Sequence, residues 1–249
     1  MSIRLIDVHK AFGPKQVLKG FSLEIREGQT LSIIGGSGVG KSVALKHVIR
    51  LLEPDQGEIW VDDRNVATLS REELYELRRE VGYVFQFAAL FDSMTVHDNV
   101  GMGLKRIPGW TRGRISERVE ECLHLVDLDG YGERFPAELS GGQRKRAGLA
   151  RAIATAPKYL LYDEPTTGLD PVTSAVINEL IMRMRRELEV TGVVITHDMK
   201  SAFRISDRIA MLHDGRIRFE GTPDELRGTQ DPVVRGFIEG KPELLKVTP

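Results

Sequence analysis

The segment from Gly35 to Ser42, GGSGVGKS, restricts the fold of this chain more than any other part of the sequence. It fits the pattern GxxxxGK[ST] and lies between an apolar run, LSII, and a run with helical periodicity. Glycines here let backbone N–H groups turn towards phosphate oxygens, and the helix that follows adds the positive end of its dipole. A glycine-rich turn with a chance lysine is the alternative. The flanking strand and helix favour a phosphate-binding loop in an α/β fold.

Two side chains of this loop carry the predicted chemistry. Lys41 should reach the β- and γ-phosphates of a nucleotide, and the Ser42 hydroxyl should ligate Mg²⁺. ATP and Mg²⁺ are therefore the predicted ligands. The other predicted ATP-binding residues of the segment are Gly35, Gly36, Ser37, Gly38, Val39, Gly40 and Val43.

A second motif, YLLYDE, is an apolar strand that ends in two carboxylates, Asp163 and Glu164. A buried strand has no structural use for both. Asp163 suits Mg²⁺ binding, directly or from the next layer of ligands, and Glu164 suits polarisation of an attacking water molecule. The alternative for Glu164 is an acidic N-cap of the helix that follows.

A third motif, LSGGQ, places glycines at the start of another helix and so predicts a second anion site. One chain that binds one nucleotide hardly needs two such sites. A head-to-tail dimer explains both, because this loop then closes over the nucleotide held by the other subunit. A simple helix cap is the alternative. The predicted contact residues are Ser140, Gly141, Gly142 and Gln143.

Taken in order, these motifs make the chain resemble the ATPase subunits of ABC transporters over nearly its whole length. The resemblance implies that Gln86, in VGYVFQ, contacts Mg²⁺ and water and links the site to a membrane partner. It implies that His197, in VVITHD, contacts the γ-phosphate, that Asp170, in TTGLDP, lies at the dimer seam, and that Phe12 stacks on adenine. Without the resemblance, Phe12 would be a core residue and His197 a structural one. The implied catalytic set is Lys41, Gln86, Glu164 and His197, and the implied Mg²⁺ ligands are Ser42, Gln86 and Asp163.

Three further features resemble the Mla- or Mce-type ATPases of phospholipid transport. They are Val43 after Ser42, the segment FAALFDSMTVHDNV after Gln86, and DPVVRGFIEG in the tail. This resemblance implies a homodimer on the cytoplasmic face of the cell membrane, bound to integral-membrane permease subunits and an Mce-type lipid-binding partner. An ABC importer for another solute, a non-transport ABC ATPase and a regulatory P-loop NTPase are the alternatives.

The order of elements predicts an α/β fold of the P-loop NTPase (RecA-like) type, in which residues 1–228 form one domain. Three strand-like runs, IRLIDVHKAF, FSLEI and TLSIIGG, predict an N-terminal antiparallel β layer. Residues 87–157 are helical in pattern throughout and predict an inserted all-α lobe. Residues 229–249 form a tail. By resemblance, its apolar residues Val233, Val234, Phe237 and Ile238 pack on the neighbouring subunit.

An apolar cluster follows the strand that ends at Gln86. Its members are Phe85, Phe87, Leu90, Phe91 and Met94. A solvated loop carries fewer apolar residues, so the cluster suggests a groove for a short helix of the membrane subunit. Core filling is the alternative.

Composition excludes several classes of protein. The 35 Lys and Arg residues nearly balance 36 Asp and Glu residues, for a net charge of −1, so no overall basic field predicts nucleic-acid binding. The sequence contains no unbroken run of about 18 apolar residues, so no membrane span is predicted. Cys122, the one cysteine, lies at a helical apolar position and is predicted to be a core residue.

Overall fold

The structure, a computed structural model, describes residues 2–241. The strands are β1 (Ser2–Phe12), β2 (Lys15–Arg26), β3 (Thr30–Ile34), β4 (Gln56–Val61), β5 (Arg64–Asn65), β6 (Val81–Val84), β7 (Tyr159–Asp163), β8 (Thr191–Ile195), β9 (Arg208–His213) and β10 (Arg216–Gly221). The α-helices are α1 (Lys41–Val48), α2 (Arg71–Glu80), α3 (Val96–Gly101), α4 (Arg112–Leu125), α5 (Gly141–Ile153), α6 (Pro171–Leu188), α7 (Met199–Ile205), α8 (Pro223–Gly228) and α9 (Pro232–Glu239). Short 3₁₀ turns cover Val66–Thr68, Leu104–Arg106 and Pro136–Glu138.

The chain divides into two compact units. In its described part, the first unit comprises residues 2–75 and 191–241, and the second comprises residues 76–190. The second unit is wider than the predicted helical lobe at 87–157, because it also contains β6, β7 and α6. Across 87–157 itself the structure has three α-helices and no strand.

One sheet of the first unit is antiparallel, with strand order β2-β1-β4-β5. Ile3 and Leu5 of β1 are buried and face Ile25 and Leu23 of β2 in register. The apolar residues alternate with more exposed positions along β1, as in a sheet with one covered face.

The second layer of this unit contains β3, and the predicted antiparallel pairing of this strand is wrong. The run TLSII was placed in the antiparallel layer, but β3 pairs in parallel with both β8 and β9. All five of its residues are buried, which is typical of a parallel strand covered on both faces. β10 pairs antiparallel with β9 through a turn in which Asp214 and Gly215 both have positive φ, 46° and 77°.

The first part of the predicted tail belongs to the first unit. Asp231 caps α9 by accepting hydrogen bonds from the backbone N–H groups of Val233 and Val234. Both valines are buried in one apolar cluster with Ile209 and Met211 of β9. They are therefore core residues of their own chain and cannot anchor a neighbouring subunit. Phe237 and Ile238 are only partly buried, residues 242–249 lie outside the described residues, and a dimer contact by the tail stays a prediction.

In the second unit, β6 and β7 are parallel neighbours, with Val84 opposite Tyr162. α4 buries Ile115, Val119 and Cys122, which are spaced by four and three residues as one helix face requires. The prediction that Cys122 is a core residue is confirmed, since its side chain is 0% exposed. Among residues 2–241, no helix combines the length and apolar character needed to cross a lipid bilayer.

Cys122 should not react with thiol reagents in the folded protein. Burial raises the pKa of its thiol to about 11, so at pH 8 the nucleophilic thiolate is roughly a hundredfold scarcer than in an unfolded chain. Labelling by a chromogenic disulfide at pH 8 should be complete in 6 M guanidinium and negligible without it. Cys122→Ala provides the blank, and rapid stoichiometric labelling of the native protein would contradict the burial described here.

Candidate nucleotide-binding and signature sites

The glycine loop of the first unit connects β3 to α1 and depends on three glycines with positive φ. They are Gly35, Gly38 and Gly40, with φ values of 146°, 72° and 111°. A Cβ atom at Gly35 would lie 2.3 Å from the carbonyl oxygen of Leu212, and one at Gly40 would lie 2.7 Å from a methyl group of Val17. No other residue fits these two positions without moving the backbone or its neighbours.

Lys41 is the first residue of α1 and is almost fully buried, with 6% of its surface exposed. Its ammonium group donates hydrogen bonds to the carbonyl oxygens of Gly35 and Gly36, both at 2.9 Å. The charge is thereby held inside the curve of the loop. Ser42 follows at the first turn of the same helix, where backbone N–H groups have no acceptor within the helix.

His197 lies in the same unit, directly after β8. The backbone N–H of Thr196 donates to the carbonyl oxygen of Ile33 at 3.2 Å, so the end of β8 is fixed beside the end of β3. Since β3 and β8 are parallel, their carboxyl ends meet at one edge of the sheet. The structure therefore brings His197, which is exposed, to the edge from which the glycine loop emerges.

Phe12 ends β1 and is 47% exposed, with the Lys10 ammonium 5.8 Å from its ring centre. It is therefore a surface aromatic and not the core residue of the alternative interpretation. The hairpin that carries it continues into β2, where Val17 lies against the position of Gly40. Phe12 and the glycine loop thus belong to one packed region of the first unit.

In the second unit, Asp163 ends β7 and is hydrogen-bonded to β6. The Tyr83 hydroxyl donates to Asp163 Oδ2 at 2.9 Å, and both side chains are buried. Burial, together with the neighbouring Asp163 charge, raises the pKa of Tyr83, so the phenol stays protonated and remains a donor. This bond fixes the orientation of a carboxylate predicted to bind Mg²⁺.

Glu164 adopts a left-handed backbone conformation with φ 51°, which is uncommon for a residue other than glycine. The Thr167 N–H donates to its carbonyl oxygen at 3.2 Å, and the Thr167 hydroxyl donates to its Oε2 at 2.8 Å. The helix N-cap alternative is wrong, because α6 begins at Pro171 with Asp170 as its N-cap. Strained, fixed backbone of this kind is common at functional positions.

Gln86 follows β6, and its carbonyl oxygen accepts a hydrogen bond from the Lys145 ammonium group. The same ammonium lies 3.3 Å from the carbonyl oxygen of Glu164. Because β6 and β7 are parallel neighbours, Gln86, Asp163 and Glu164 meet at one edge of the second unit. Burial lowers the pKa of Lys145, and the charges of Glu164 and Asp163 oppose that shift.

The signature residues open α5. The Ser140 hydroxyl accepts from the Gln143 N–H at 3.2 Å, and Gln143 Oε1 accepts from the Ser140 N–H at 2.8 Å. This reciprocal pair is a capping box, so the cap of the alternative interpretation is present. A Cβ atom at Gly142 would lie 2.5 Å from the Thr173 side chain. Asp170 accepts from the Thr173 N–H at 3.0 Å, which places the signature loop beside the segment of Asp170.

The apolar segment after Gln86 is held at both ends. Arg151 donates to the carbonyl oxygens of Ala88 and Ala89 at 2.7 and 2.6 Å. The buried side chain of Asn99 accepts from the Phe91 N–H at 2.7 Å and donates to the Phe91 carbonyl oxygen at 3.1 Å. Phe87 is 83% exposed and Phe91 50%, so two aromatic rings face solvent from a fixed backbone.

The residues present fit ATP and Mg²⁺. The glycine loop leaves no room for a side chain at Gly35 or Gly40 and lies beside the buried Lys41 ammonium, so phosphate oxygens can approach both backbone N–H groups and a positive charge. Ser42 and Asp163 offer hydroxyl and carboxylate oxygens, the ligands that Mg²⁺ prefers. Sequence reasoning missed Tyr83, Asn99 and Lys145. Of these three, only Lys145 could have been recognised from the sequence, because it lies four residues before Leu149 and so falls on the apolar face of α5.

Comparison with known proteins gives consistent results. The model of the ABC transporter family matches residues 18–167. The chain is 44% identical over 218 residues to the methionine import ATP-binding protein MetN of Carboxydothermus hydrogenoformans, covering 87% of this chain and 64% of that protein. It is 38% identical over 241 residues to the probable ribonucleotide transport ATP-binding protein mkl of Mycobacterium leprae, covering 97% and 70%. It is 41% identical over 251 residues to the chloroplastic protein TRIGALACTOSYLDIACYLGLYCEROL 3 of Arabidopsis thaliana, covering 94% and 72%.

A solved structure is similar as well. The ATP-binding cassette MJ0796, a dimer in a post-hydrolysis state bound to ADP and Pi, matches with a TM-score of 0.81 and 34% identity, over 89% of this chain and 98% of that one. The fold is that of a P-loop nucleotide-binding cassette, which binds ATP together with Mg²⁺. The chain belongs to the ABC transporter family of ATP-hydrolysing subunits. It spans about two thirds of the length of the curated relatives it matches.

Tyr83→Phe should destabilise the fold by about 1.5–3 kcal/mol, because it removes a buried hydrogen bond to an ionised group. Urea denaturation followed by circular dichroism measures the change. Tyr131→Phe is the matched control: its hydroxyl accepts only from the neutral side-chain amide of Gln143, at 3.1 Å, and the expected cost is about 1 kcal/mol. Equal stability of Tyr83→Phe and the wild type would show that the bond to Asp163 contributes nothing.

Proposed function

We propose that this chain is the ATP-hydrolysing subunit of an ABC transporter that energises phospholipid transport across the cell envelope through partner permeases. The observation that carries the ATPase assignment is the glycine loop with its buried Lys41 ammonium, accompanied in the same chain by a separate, capped signature helix. One polypeptide thus carries two glycine-bearing helix starts. We infer that two copies pair so that each signature loop meets the nucleotide of its partner.

Nucleotide binding begins at the glycine loop. Lys41 exchanges the carbonyl oxygens of Gly35 and Gly36 for the β- and γ-phosphate oxygens, which accept stronger charge-assisted hydrogen bonds. Phe12 stacks on the adenine ring from its exposed position at the end of β1. Mg²⁺, when bound, neutralises charge on the phosphates, and the residues that would hold it are Ser42, Gln86 and Asp163.

Hydrolysis depends on residues at the edge of the second unit and on His197. Glu164 orients and polarises the attacking water and takes its proton, while His197 contacts the γ-phosphate. The Thr167 hydroxyl, which donates to Glu164 Oε2, keeps the carboxylate in one rotamer. The carboxylate is therefore preorganised as a general base and needs no reorientation when nucleotide binds.

Closure of the dimer uses the signature loop. The signature loop lies at the N-terminus of α5, where a phosphate of the partner's nucleotide would meet the positive end of the helix dipole. Asp170 lies next to this loop through Thr173. The Thr173 hydrogen bonds lower the pKa of Asp170, which keeps it ionised at the proposed seam.

Coupling to a permease is proposed for the exposed rings of Phe87 and Phe91. The backbone that presents them is held by Arg151 and Asn99. The loop therefore loses little conformational entropy when it binds a helix of the permease. Exposed aromatic rings on a fixed support are typical of contact sites for partner proteins. The chain would thereby sit on the cytoplasmic face of the membrane without spanning it.

Lipid cargo is supported by the segment ALFDSMTV, by the tail, and by a relative whose name is that of a galactolipid. An importer of a polar solute is the second candidate, because a relative with 44% identity is named for methionine import. The two candidates differ in their partner proteins. A lipid system includes an Mce-type lipid-binding chain, whereas a solute importer includes a soluble substrate-binding protein.

Glu164→Gln should lower the rate of ATP hydrolysis by about 10²–10⁴-fold, the usual contribution of a positioned general base, while ATP affinity stays near the wild-type value. Phosphate release and titration with a fluorescent ATP analogue measure the two quantities. Lys41→Ala should weaken ATP binding at least about tenfold, equivalent to ~1.4 kcal/mol. Lys46→Ala, a lysine of the same helix outside the loop, is the matched control.

The same variant tests the dimer. Glu164→Gln with saturating Mg-ATP should elute as a dimer and with ADP as a monomer, as followed by light scattering. Hydrolysis by Glu164→Gln at the wild-type rate would refute the catalytic role of Glu164. A monomer with Mg-ATP, both alone and in the membrane complex, would refute the shared site.

Affinity purification from native membranes should recover a permease and an Mce-type protein with the tagged chain. The double variant Phe87→Ser/Phe91→Ser should lose most of the permease while its ATPase activity in isolation is unchanged. Tyr75→Ser removes an aromatic ring that is 44% exposed elsewhere on the surface, and this variant should retain the permease. Recovery of a soluble substrate-binding protein in place of the Mce-type chain would favour the importer and refute lipid cargo.

A further inference from the structure

Lys145 is a buried lysine in the middle of the functional region of the second unit. It lies in the first half of α5, two residues after the signature segment, and only 8% of its surface is exposed. Its side chain lines a small cavity together with apolar residues that include Leu149 and Tyr162. A long cationic side chain rarely takes such a position unless its charged end has partners.

The ammonium group of Lys145 has two backbone partners on different segments. It donates to the carbonyl oxygen of Gln86, which follows β6, and to that of Glu164, which follows β7, at 3.3 Å. These residues are 59 and 19 positions away from Lys145 along the chain. One positive charge therefore joins three segments: the signature helix, the loop that begins at Gln86, and the turn at Glu164.

The turn at Glu164 needs such support. Its left-handed backbone, φ 51°, is unfavourable for a residue with a side chain, and the proline that follows restricts it further. A conformation of this kind persists when the surrounding structure holds it in place. Thr167 donates one hydrogen bond to the Glu164 carbonyl oxygen, and Lys145 donates the charged one.

We propose that Lys145 is a positioning residue that ties the Gln86 and Glu164 segments to the signature helix and so aims the Glu164 carboxylate. The proposal rests on the proposed roles of Gln86 and Glu164. It adds a physical link between these segments and the general base. A membrane partner could displace the Gln86 loop, or a partner's nucleotide could displace α5. In either case the Lys145 ammonium group transmits the displacement to Glu164.

The link is electrostatic as well as geometric. Both carbonyl dipoles point their negative ends at the same ammonium group. A neutral side chain of the same length would still line the cavity with Leu149 and Tyr162 but would lose its hydrogen bonds to both carbonyl oxygens.

The test compares Lys145→Met with Arg146→Met. Methionine preserves an unbranched side chain of similar length and removes the ammonium group. Arg146 is the matched control, because it lies next to Lys145 on the same helix and its guanidinium also donates to two carbonyl oxygens, those of Val126 and Asp127, at 3.2 and 2.7 Å. Those acceptors lie away from Gln86 and Glu164 in sequence and serve no proposed catalytic role.

Lys145→Met should lower kcat for ATP hydrolysis by about tenfold to a hundredfold, the effect of a misaimed catalytic group, while the KM for ATP changes less than about twofold. Lys145→Arg, which retains a charged donor, should recover part of the rate. Arg146→Met should leave both constants near wild type. A partial loss of folded protein would also lower the apparent kcat at an unchanged KM, so kcat is expressed per nucleotide-binding site, counted by titration with the fluorescent ATP analogue.

Amide hydrogen exchange gives a second readout that needs no hydrolysis. The Thr167 N–H, which donates to the Glu164 carbonyl oxygen, should exchange at least about tenfold faster in Lys145→Met, together with amides that follow Gln86. Arg146→Met should accelerate exchange only near Asp127. Wild-type kcat and exchange in Lys145→Met, or equal losses in both variants, would overturn the proposal. If Glu164→Gln hydrolyses ATP normally, the proposed catalytic role of Glu164 fails, and the exchange measurement still decides whether Lys145 fixes this turn.

Discussion

The carbonyl oxygen of Leu212 occupies the space that a side chain at position 35 would need, so the glycine loop keeps its path only with glycine at that position. The loop must pass close to β9, which it does because β3 pairs in parallel with β9 and ends beside it. The same turn then directs the carbonyl oxygens of Gly35 and Gly36 at the Lys41 ammonium. A buried positive charge is thereby kept where a polyphosphate can replace its backbone partners.

Helix termini supply most of the remaining functional geometry. Ser140, Asp170 and Asp231 each accept hydrogen bonds from the first N–H groups of the helix they precede. Such caps fix the angle at which a chain enters its helix, so the short segments before them are defined to within a residue. For Ser140 and Asp170 those segments are the ones proposed to meet a second copy of the chain. Local sequence thus fixes where these helices begin, while a contact such as that between Gly142 and Thr173 places the signature loop beside the Asp170 segment.

The functional motifs could be predicted from the sequence because each is local. Each motif is formed by residues that are adjacent in the sequence, and the structure places each on the expected element. The motifs are the loop at Gly35, the capped helix at Ser140 and the carboxylates at Asp163. Contacts over long sequence distances could not be predicted. Lys145 reaches a carbonyl oxygen 59 residues away, and no local pattern specifies that partner. The pairing of β3 was misassigned for the same reason, since its neighbours β8 and β9 follow more than 150 residues later.

The burial of α9 against β9 has a consequence for energetics. Val233 and Val234 share one apolar cluster with Met211, and the next residue of that strand is Leu212, whose carbonyl group closes the glycine loop. Undocking of the C-terminal helix would loosen the strand on which the loop rests. If undocking of α9 weakens nucleotide binding, linkage requires that bound nucleotide in turn strengthens the docking of α9. A contact made by α9 would then alter nucleotide affinity through β9.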